Sequence, residues 1–432
     1  MSIKKSLTLI NFKNNLYNIL FTSIVPSFVI GQAFFKINLV LILVSALIQF
    51  RLKIFKINKD TINIFFLSLL IYFILNSIFI SSYYYFPNSR FLTFIGIILF
   101  YFVTNYLIKY DFLNLHKIFL YYSFIILLIL FDTLIQIIFL KDIFGFDYLH
   151  NYMRYAGPFG NEYILGAFLS FYIIPILILL NEKKKNNYMK IFVLFFFLFS
   201  MYILIKSGER IAFLTVCLQI LLYLIVFKKS IKNFLILGIL SLIFFVGISL
   251  YDKGIYKKYE NFYKLVFKYE KIINENYLLH KKINKFGFLN TQSGAHFLTA
   301  HEIWRNYPIF GIGVKNFRNE SIKNEYSSIN SHQRNFRSAT HPHNFQLELL
   351  AETGLVGFIL FNLFMIYFIY IIIFNKKNLL YNNLFIKIFI ILILSKYFPF
   401  KTDSSLFSSS LGLLLWINII FLISFYNKVL KN

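Results

Sequence analysis

Apolar runs close to the ~20 residues a helix needs to cross a bilayer recur along the whole chain, separated by short lysine-rich segments. In hydrocarbon a helix satisfies its own backbone hydrogen bonds, so such runs leave few alternatives to a helical bundle. Twelve are legible, at about 16–34, 36–50, 61–82, 91–108, 118–140, 161–180, 189–206, 211–227, 233–251, 345–374, 384–400 and 405–426. They predict an all-α polytopic membrane protein of about 12 transmembrane helices with one long, mostly helical extracytoplasmic loop. Membrane helices 1–9 are expected in residues 1–251, the loop in 252–342, and helices 10–12 in 343–432. Lys4 and Lys5 precede an apolar run as in a signal peptide, but no small-residue cleavage site follows, so an uncleaved first span is expected.

The formal net charge of +26 would suit a nucleic-acid partner, but the positions of the basic residues argue for topology instead. Lys4, Lys5 and Lys13 precede the first span, and Arg51, Lys53, Lys56 and Lys59 follow the second. Lys109, Lys117, Lys183, Lys184, Lys185, Lys190, Lys228, Lys229, Lys232, Lys376, Lys377, Lys387, Lys428 and Lys431 continue the series. With twelve alternating spans all of these fall on one side, which the positive-inside rule makes cytoplasmic, with both termini. No nucleic acid is expected as a partner. The single cysteine, Cys217, lies within a span and excludes an intramolecular disulfide.

The long loop carries eleven lysines and four arginines against seven acidic residues. Long external segments are exempt from the positive-inside rule. Its first part, residues 253–283, alternates aromatic and basic residues, which fits either a helix on an anionic membrane surface or a solvated helical hairpin. Its second part, Ala295 to Gly313, reads as an amphipathic helix ended by Pro308 and a Gly311–Gly313 turn. His280, His301 and His332 read as surface residues, and His341 as a polar loop residue.

The segment His341–Gly357, HPHNFQLELLAETGLVG, joins this loop to an apolar run. Read as a helix, it puts His343, Leu347, Leu350, Gly354 and Gly357 on one face. The glycines then admit a second helix at close range, and His343 begins a docked helix at the water boundary. Three more patches fall on the same side. In Arg154 to Gly166, RYAGPFGNEYILG, Arg154 and Glu162 lie at the membrane margin, as an interfacial ion pair or as functional charges. In Lys206–Arg210, KSGER, Arg210 begins a span, as an anchor or as a functional cation. The third is Trp304 to Phe317, WRNYPIFGIGVKNF, followed by Arg318. No glycosidase-type carboxylate pair is evident. His341 and His343 lack the companions of a zinc site, so no metal is expected.

In order and spacing these patches resemble the O-antigen ligase and O-antigen polymerase superfamily of polytopic membrane glycosyltransferases. The resemblance is carried by His343-Asn344…Glu352-x-Gly354-x-x-Gly357, Pro308–Phe317, Ser207-Gly-Glu-Arg210, the Gly157–Asn161 turn and the long loop before His343. It runs from about residue 150 to 360, and the first four spans contribute only hydropathy. It implies transfer of a glycan from a polyprenyl diphosphate carrier to an acceptor hydroxyl at the periplasmic face of a bacterial inner membrane, with no cofactor. The implied partners are the lipid-linked glycan, a lipid A-core or other glycan acceptor, and membrane lipid. It further implies that His343 acts on the acceptor and that Arg210 and a second cation in the long loop face the diphosphate. The residues themselves put Arg154, His296, Arg305, Arg318, Asn344 and Glu352 forward as substrate-binding candidates, with Glu352 also readable as support for the His343 helix. Where members often carry Ser-Gly-Arg at the head of the loop helix, this chain has Ser293-Gly294-Ala295-His296, leaving His296, Arg305 or Arg318 as the second diphosphate cation. The long loop leans toward a ligase. A polymerase of the same superfamily, or a lipid-linked sugar transporter, is the alternative.

Overall fold

The computed structural model describes residues 15–56, 60–81, 89–148, 154–182, 187–226, 231–267, 286–375, 383–399 and 401–430. Lys4, Lys5, Lys13, Lys59, Lys183–Lys185, Lys228, Lys229, Lys376, Lys377, Lys431, His280 and most of the aromatic–basic stretch after Phe267 lie outside them. The described residues are helical, without a β-strand; an isolated bridge joins Lys141 and Asp147.

The chain opens with α1 (Asn15–Ile30), breaks at Gly31, and continues as α2 (Gln32–Phe50), α3 (Thr61–Phe79), α4 (Ser89–Lys109) and α5 (Leu115–Phe139). A broken pair, α6 (Leu165–Leu169) and α7 (Ile173–Glu182), is followed by α8 (Asn187–Lys206), α9 (Arg210–Val226) and α10 (Ile231–Tyr251). The loop contributes α11 (Lys253–Phe267) and α12 (Gln292–Asn306). The chain closes with α13 (Phe345–Tyr370), α14 (Leu384–Tyr397) and α15 (Ser410–Val429). Asn114, Asn344, Asn383 and Ser409 cap α5, α13, α14 and α15 by accepting first-turn backbone N–H groups, so these helices start where the sequence supplies a short polar side chain.

Helix occurs at each of the twelve expected segments, and among the described residues eight helices are long and apolar enough to cross a bilayer. The rest fall short for visible reasons. α14 has 14 residues, capped by Asn383 and ended before Pro399, and at ~1.5 Å per residue it is shorter than the ~30 Å hydrocarbon core. α1 stops at Gly31, four residues earlier than the sequence reading, and α9 spans 17 residues. α10 turns through 102° into α11. Asp252 fixes that corner: it accepts from Gly254 N and Ile255 N and pairs with Lys206 Nζ at 2.5 Å.

α15 is the most enclosed span, with 89% of its window buried, against 28% for α2 at the periphery. It packs on α4 and α14. Outward positions such as Ile48, Phe79, Phe139 and Leu250 stay exposed, as a lipid-facing surface requires. The gap between α6 and α7 is closed from inside: Lys396 Nζ donates to Ser170 Oγ (2.6 Å) and lies 4.0 Å from the Phe171 ring, and Gln219 Nε2 donates to Ser170 O (2.8 Å). Asp132 is buried within α5. Lys396, Glu348 and Glu352 are buried as well, because backbone freed at helix breaks and loops needs polar partners.

Polar groups collect at the two ends of this bundle. At the end where α3 begins and α4 and α15 finish, Asn427 Nδ2 donates to Asn63 Oδ1 and Asn105 Oδ1 (both 3.0 Å), and Tyr101 OH donates to Asn63 Oδ1 (2.8 Å). Exposed charges such as Lys109 and the Lys428–Asp111 pair also lie here, whereas the opposite end holds buried charged groups, among them Glu348, Glu352 and Lys396.

Candidate functional site

α13 organises that charged end. Asn344, Glu348 and Glu352 recur every four residues, and each grips a different backbone segment. The Asn344 amide donates to Pro399 O (2.7 Å) and Lys401 O (3.0 Å) while its Oδ1 caps Leu347 N (3.0 Å). Glu348 accepts from Ser405 Oγ and from Leu406 N (2.6 Å). Glu352 accepts from Lys315 N (2.6 Å) and Phe317 N (3.1 Å). Asn344 and Glu352, expected among the substrate-binding residues, are thus occupied in holding loops. Glu348 was missed, although its four-residue spacing from both could have flagged it.

The Gly354 expectation also changes. Gly354 is not helical (φ 63°, ψ −169°), and the opening receives a loop rather than a second helix. Leu355 N donates to Pro308 O (2.8 Å), Val356 N to Ile309 O (3.1 Å), Ile312 N to Ala351 O (3.1 Å) and Gly313 N to Glu352 O (2.9 Å). A Cβ on Gly354 would stand 2.2 Å from Ile309 O, and one on Gly311 would stand 2.5 Å from the Glu352 carbonyl carbon. Only glycine permits this backbone-to-backbone contact. From α3, Asn76 clasps the same loop through Phe310 O (2.8 Å) and Val314 N (3.1 Å). The two segments Pro308–Phe317 and His343–Gly357 are therefore one interlocked unit.

His343 precedes α13 rather than beginning its exposed face. It is left-handed (φ 57°), between Pro342 and the Asn344 cap, and its carbonyl accepts from Asp403 N (2.7 Å). This turn gathers three imidazoles. The His343 ring lies 4.1 Å from that of His341 and stacks 5.1 Å from that of His296, which α12 carries. His341, expected to be an ordinary loop residue, is part of the cluster: Nδ1 meets Thr340 Oγ1 at 2.8 Å and the buried Nε2 makes no hydrogen bond. Burial holds all three below the usual imidazole range. His341 is pushed to about 3 and His296 to about 4, each further lowered by His343, while Asp403 opposes the effect of burial on His343. The cluster is neutral at neutral pH. Among the described residues no three His, Cys, Asp or Glu side chains are arranged to hold a metal ion. Asp403, which sequence reasoning did not single out, is largely buried, pairs with Lys401 and accepts from Ser404 N (3.0 Å). Its short loop gave no periodic signal.

Arg210, the first residue of α9, and Arg154, in the non-helical segment before the Gly157 turn, come near enough to repel one another, with Tyr259 of α11 beside Arg210. The intervening Glu209 bonds Gly166 N (2.7 Å) and Ala167 N (2.9 Å), tying the Lys206–Arg210 turn to the Gly157–Gly166 turn. Arg154 lies 5.1 Å from the Tyr163 ring and makes no ion pair with Glu162 among the described residues; Glu162 lines an apolar cleft of about 360 Å³ with Phe28, Phe144, Phe146 and Phe159. Glu209, Lys396 and Asp403 lie in one electrostatic chain between the arginines and His343. Arg318 is exposed and acts on His341 and Arg90. Arg305 is exposed and faces Glu302 at 3.4 Å, apart from the cluster.

Residues 193–362, from α8 to the middle of α13, match the family model described as O-antigen ligase. No curated protein matches the chain. The family match supports membership of the O-antigen ligase superfamily and a membrane glycan-ligation function.

Proposed function

We propose that this member of the O-antigen ligase superfamily moves a glycan from a polyprenyl diphosphate carrier to an acceptor hydroxyl at the outer face of a bacterial inner membrane. The observation that carries the reading is the neutral, partly buried His343, backed by Asp403, on the same bundle end as the Arg154–Arg210 pair. A neutral imidazole can take the acceptor's hydroxyl proton. The acceptor oxygen then forms its bond to the sugar C1 as the bond from C1 to the diphosphate oxygen breaks, with inversion. Polyprenyl diphosphate leaves with the electron pair, and two guanidinium groups suit the charge that builds on it. Arg154 and Arg210 bring two positive groups close together, which suits a doubly charged diphosphate.

The broken α6–α7 helix with buried Lys396 is the kind of feature transporters use. Here Ser170 and Gln219 satisfy the break internally, which supports a structural role instead.

Purified protein given a lipid-linked glycan and acceptor should release polyprenyl diphosphate in step with glycan transfer; glycan movement without release would sink the enzyme reading. Loss of the gene should leave unlinked polymer on its carrier. Single repeat units on the final acceptor would identify a polymerase instead. For sidedness, Ser327→Cys and Lys190→Cys in a Cys217→Ser background should differ, with only the first labelled by an impermeant thiol reagent in intact cells. Labelling of both would overturn the alternating topology.

A further inference from the structure

The first turn of α4 gathers cations that the mechanism above leaves unused. Arg90 Nη1 donates to Ser81 Oγ (3.1 Å) and to Asn316 Oδ1, and Lys315 Nζ donates to Thr93 Oγ1 (3.2 Å), three residues along the same helix. Lys36, exposed near the start of α2, acts on Lys315, and exposed Arg318 acts on Arg90 and on His341. Four positive groups from three distant stretches of chain thus meet beside the imidazoles.

Among the described residues no carboxylate lies within ion-pairing distance of them. Glu352 acts on Arg90 and Lys315 from a distance and Glu348 on Lys315, but their oxygens bond to Lys315 N, Phe317 N, Ser405 and Leu406 rather than to the cations. Among the described residues Lys36, Arg90, Lys315 and Arg318 form no ion pair. The arrangement is costly without an anion. Lys315 is held in a left-handed conformation (φ 63°), and burial, reinforced by Lys36 and Arg90 and only partly opposed by Glu352 and Glu348, pushes its ammonium down to about 8. Strain and like-charge crowding of this kind persist where the fold over-determines them, commonly at ligand sites.

We propose that Lys36, Arg90, Lys315 and Arg318 form a phosphoryl-binding site, separate from Arg154 and Arg210, that takes a phosphate group of the acceptor. The inference rests on the proposed function and names the acceptor class: a phosphorylated glycolipid whose free hydroxyl reaches His343 while its phosphate is held here. Guanidinium and ammonium groups at several angles match the oxygens of a phosphate monoester. The link from Arg318 to His341 sets the site next to the base, and the Arg154–Arg210 pair stays available for the carrier.

The test compares a phosphorylated acceptor with the same acceptor treated with phosphatase, using the full-length protein in lipid nanodiscs. Arg318→Gln is the first variant, because Arg318 is exposed and holds no part of the scaffold; Lys315→Met is the second. Removing the phosphate should raise the acceptor KM of the wild type roughly tenfold, as loss of a charge-assisted contact does. Each variant should raise KM for the phosphorylated acceptor, leave it unchanged for the dephosphorylated one, and leave the donor KM untouched. A raised donor KM would assign the cluster to the carrier diphosphate and overturn the proposal. Equal KM values for both acceptors would overturn it too, as would loss of the variant effect only when anionic phospholipid is omitted, which would assign the cluster to bilayer headgroups. Direct binding of the two acceptors, measured without donor, reads the site even should the wild type release no polyprenyl diphosphate, so failure of the transfer reading stays distinguishable.

Discussion

The two ends of the helix bundle solve the same problem differently. At one end Asn63, Asn105, Asn427 and Tyr101 satisfy one another with neutral hydrogen bonds. At the other, the rings of His296, His341 and His343 lie against one another in partial burial, and Arg154–Arg210 and Arg90–Arg318 crowd like charges. A satisfied neutral network rigidifies a bundle. Buried imidazoles and like charges brought close together cost stability. The contrast assigns helix locking to the first end and chemistry to the second.

The largest effect should come from the chemical end. His343→Ala should lower transfer by about 10²–10⁴-fold, the usual worth of a general base, while membrane insertion and thermal unfolding in detergent change little. Substantial transfer by the variant would remove the base from the mechanism. Arg210→Lys comes next, with a loss on the order of 10²–10³ at matched protein levels, because lysine keeps the charge without the planar fork. Wild-type rates there would make Arg210 an interfacial anchor.

The locking end should respond the other way. Asn427→Ala strands amide groups of Asn63 and Asn105 and should cost about 1–3 kcal/mol of stability, leaving turnover per folded molecule unchanged. A drop in turnover without a drop in stability would erase the division between the ends.

The smallest effect is in pH. The folded values of His296 and His341, about 4 and about 3, lie below the ordinary 6.5, and His343 is lowered too. Between those values the unfolded chain binds more protons than the folded one, so stability is fully present above about pH 6.5 and declines as pH falls toward 4. The acid limb of the rate profile should lie below 6.5, because burial lowers His343. A limb at or above 6.5 would place the titrating group elsewhere.

Much of the site was legible because its residues are rare in such a chain. His343, Arg210 and Arg154 stand out against apolar helices, where a charge or imidazole is expensive. The Gly354 register was legible as a packing position, but not its partner, since a small residue admits a loop as readily as a helix. Asp403, Glu348, Arg90 and Lys315 carried no pattern of their own. Their roles arise from hydrogen bonds across long stretches of sequence, such as Arg90 to Asn316 and Asn344 to Pro399.

By itself the sequence determined that the chain is helical and membrane-embedded, because backbone in hydrocarbon has almost no other way to satisfy its hydrogen bonds. It also determined which end of each helix carries charge, since lysine and arginine are excluded from the middle. Only the tertiary structure decided that His341 and His296 join His343, that Asn344 and Glu352 hold loops, and that four cations meet on α4. Those are outcomes of which loops dock into which helix breaks, and a break such as Gly354 names its occupant only when the two backbones meet.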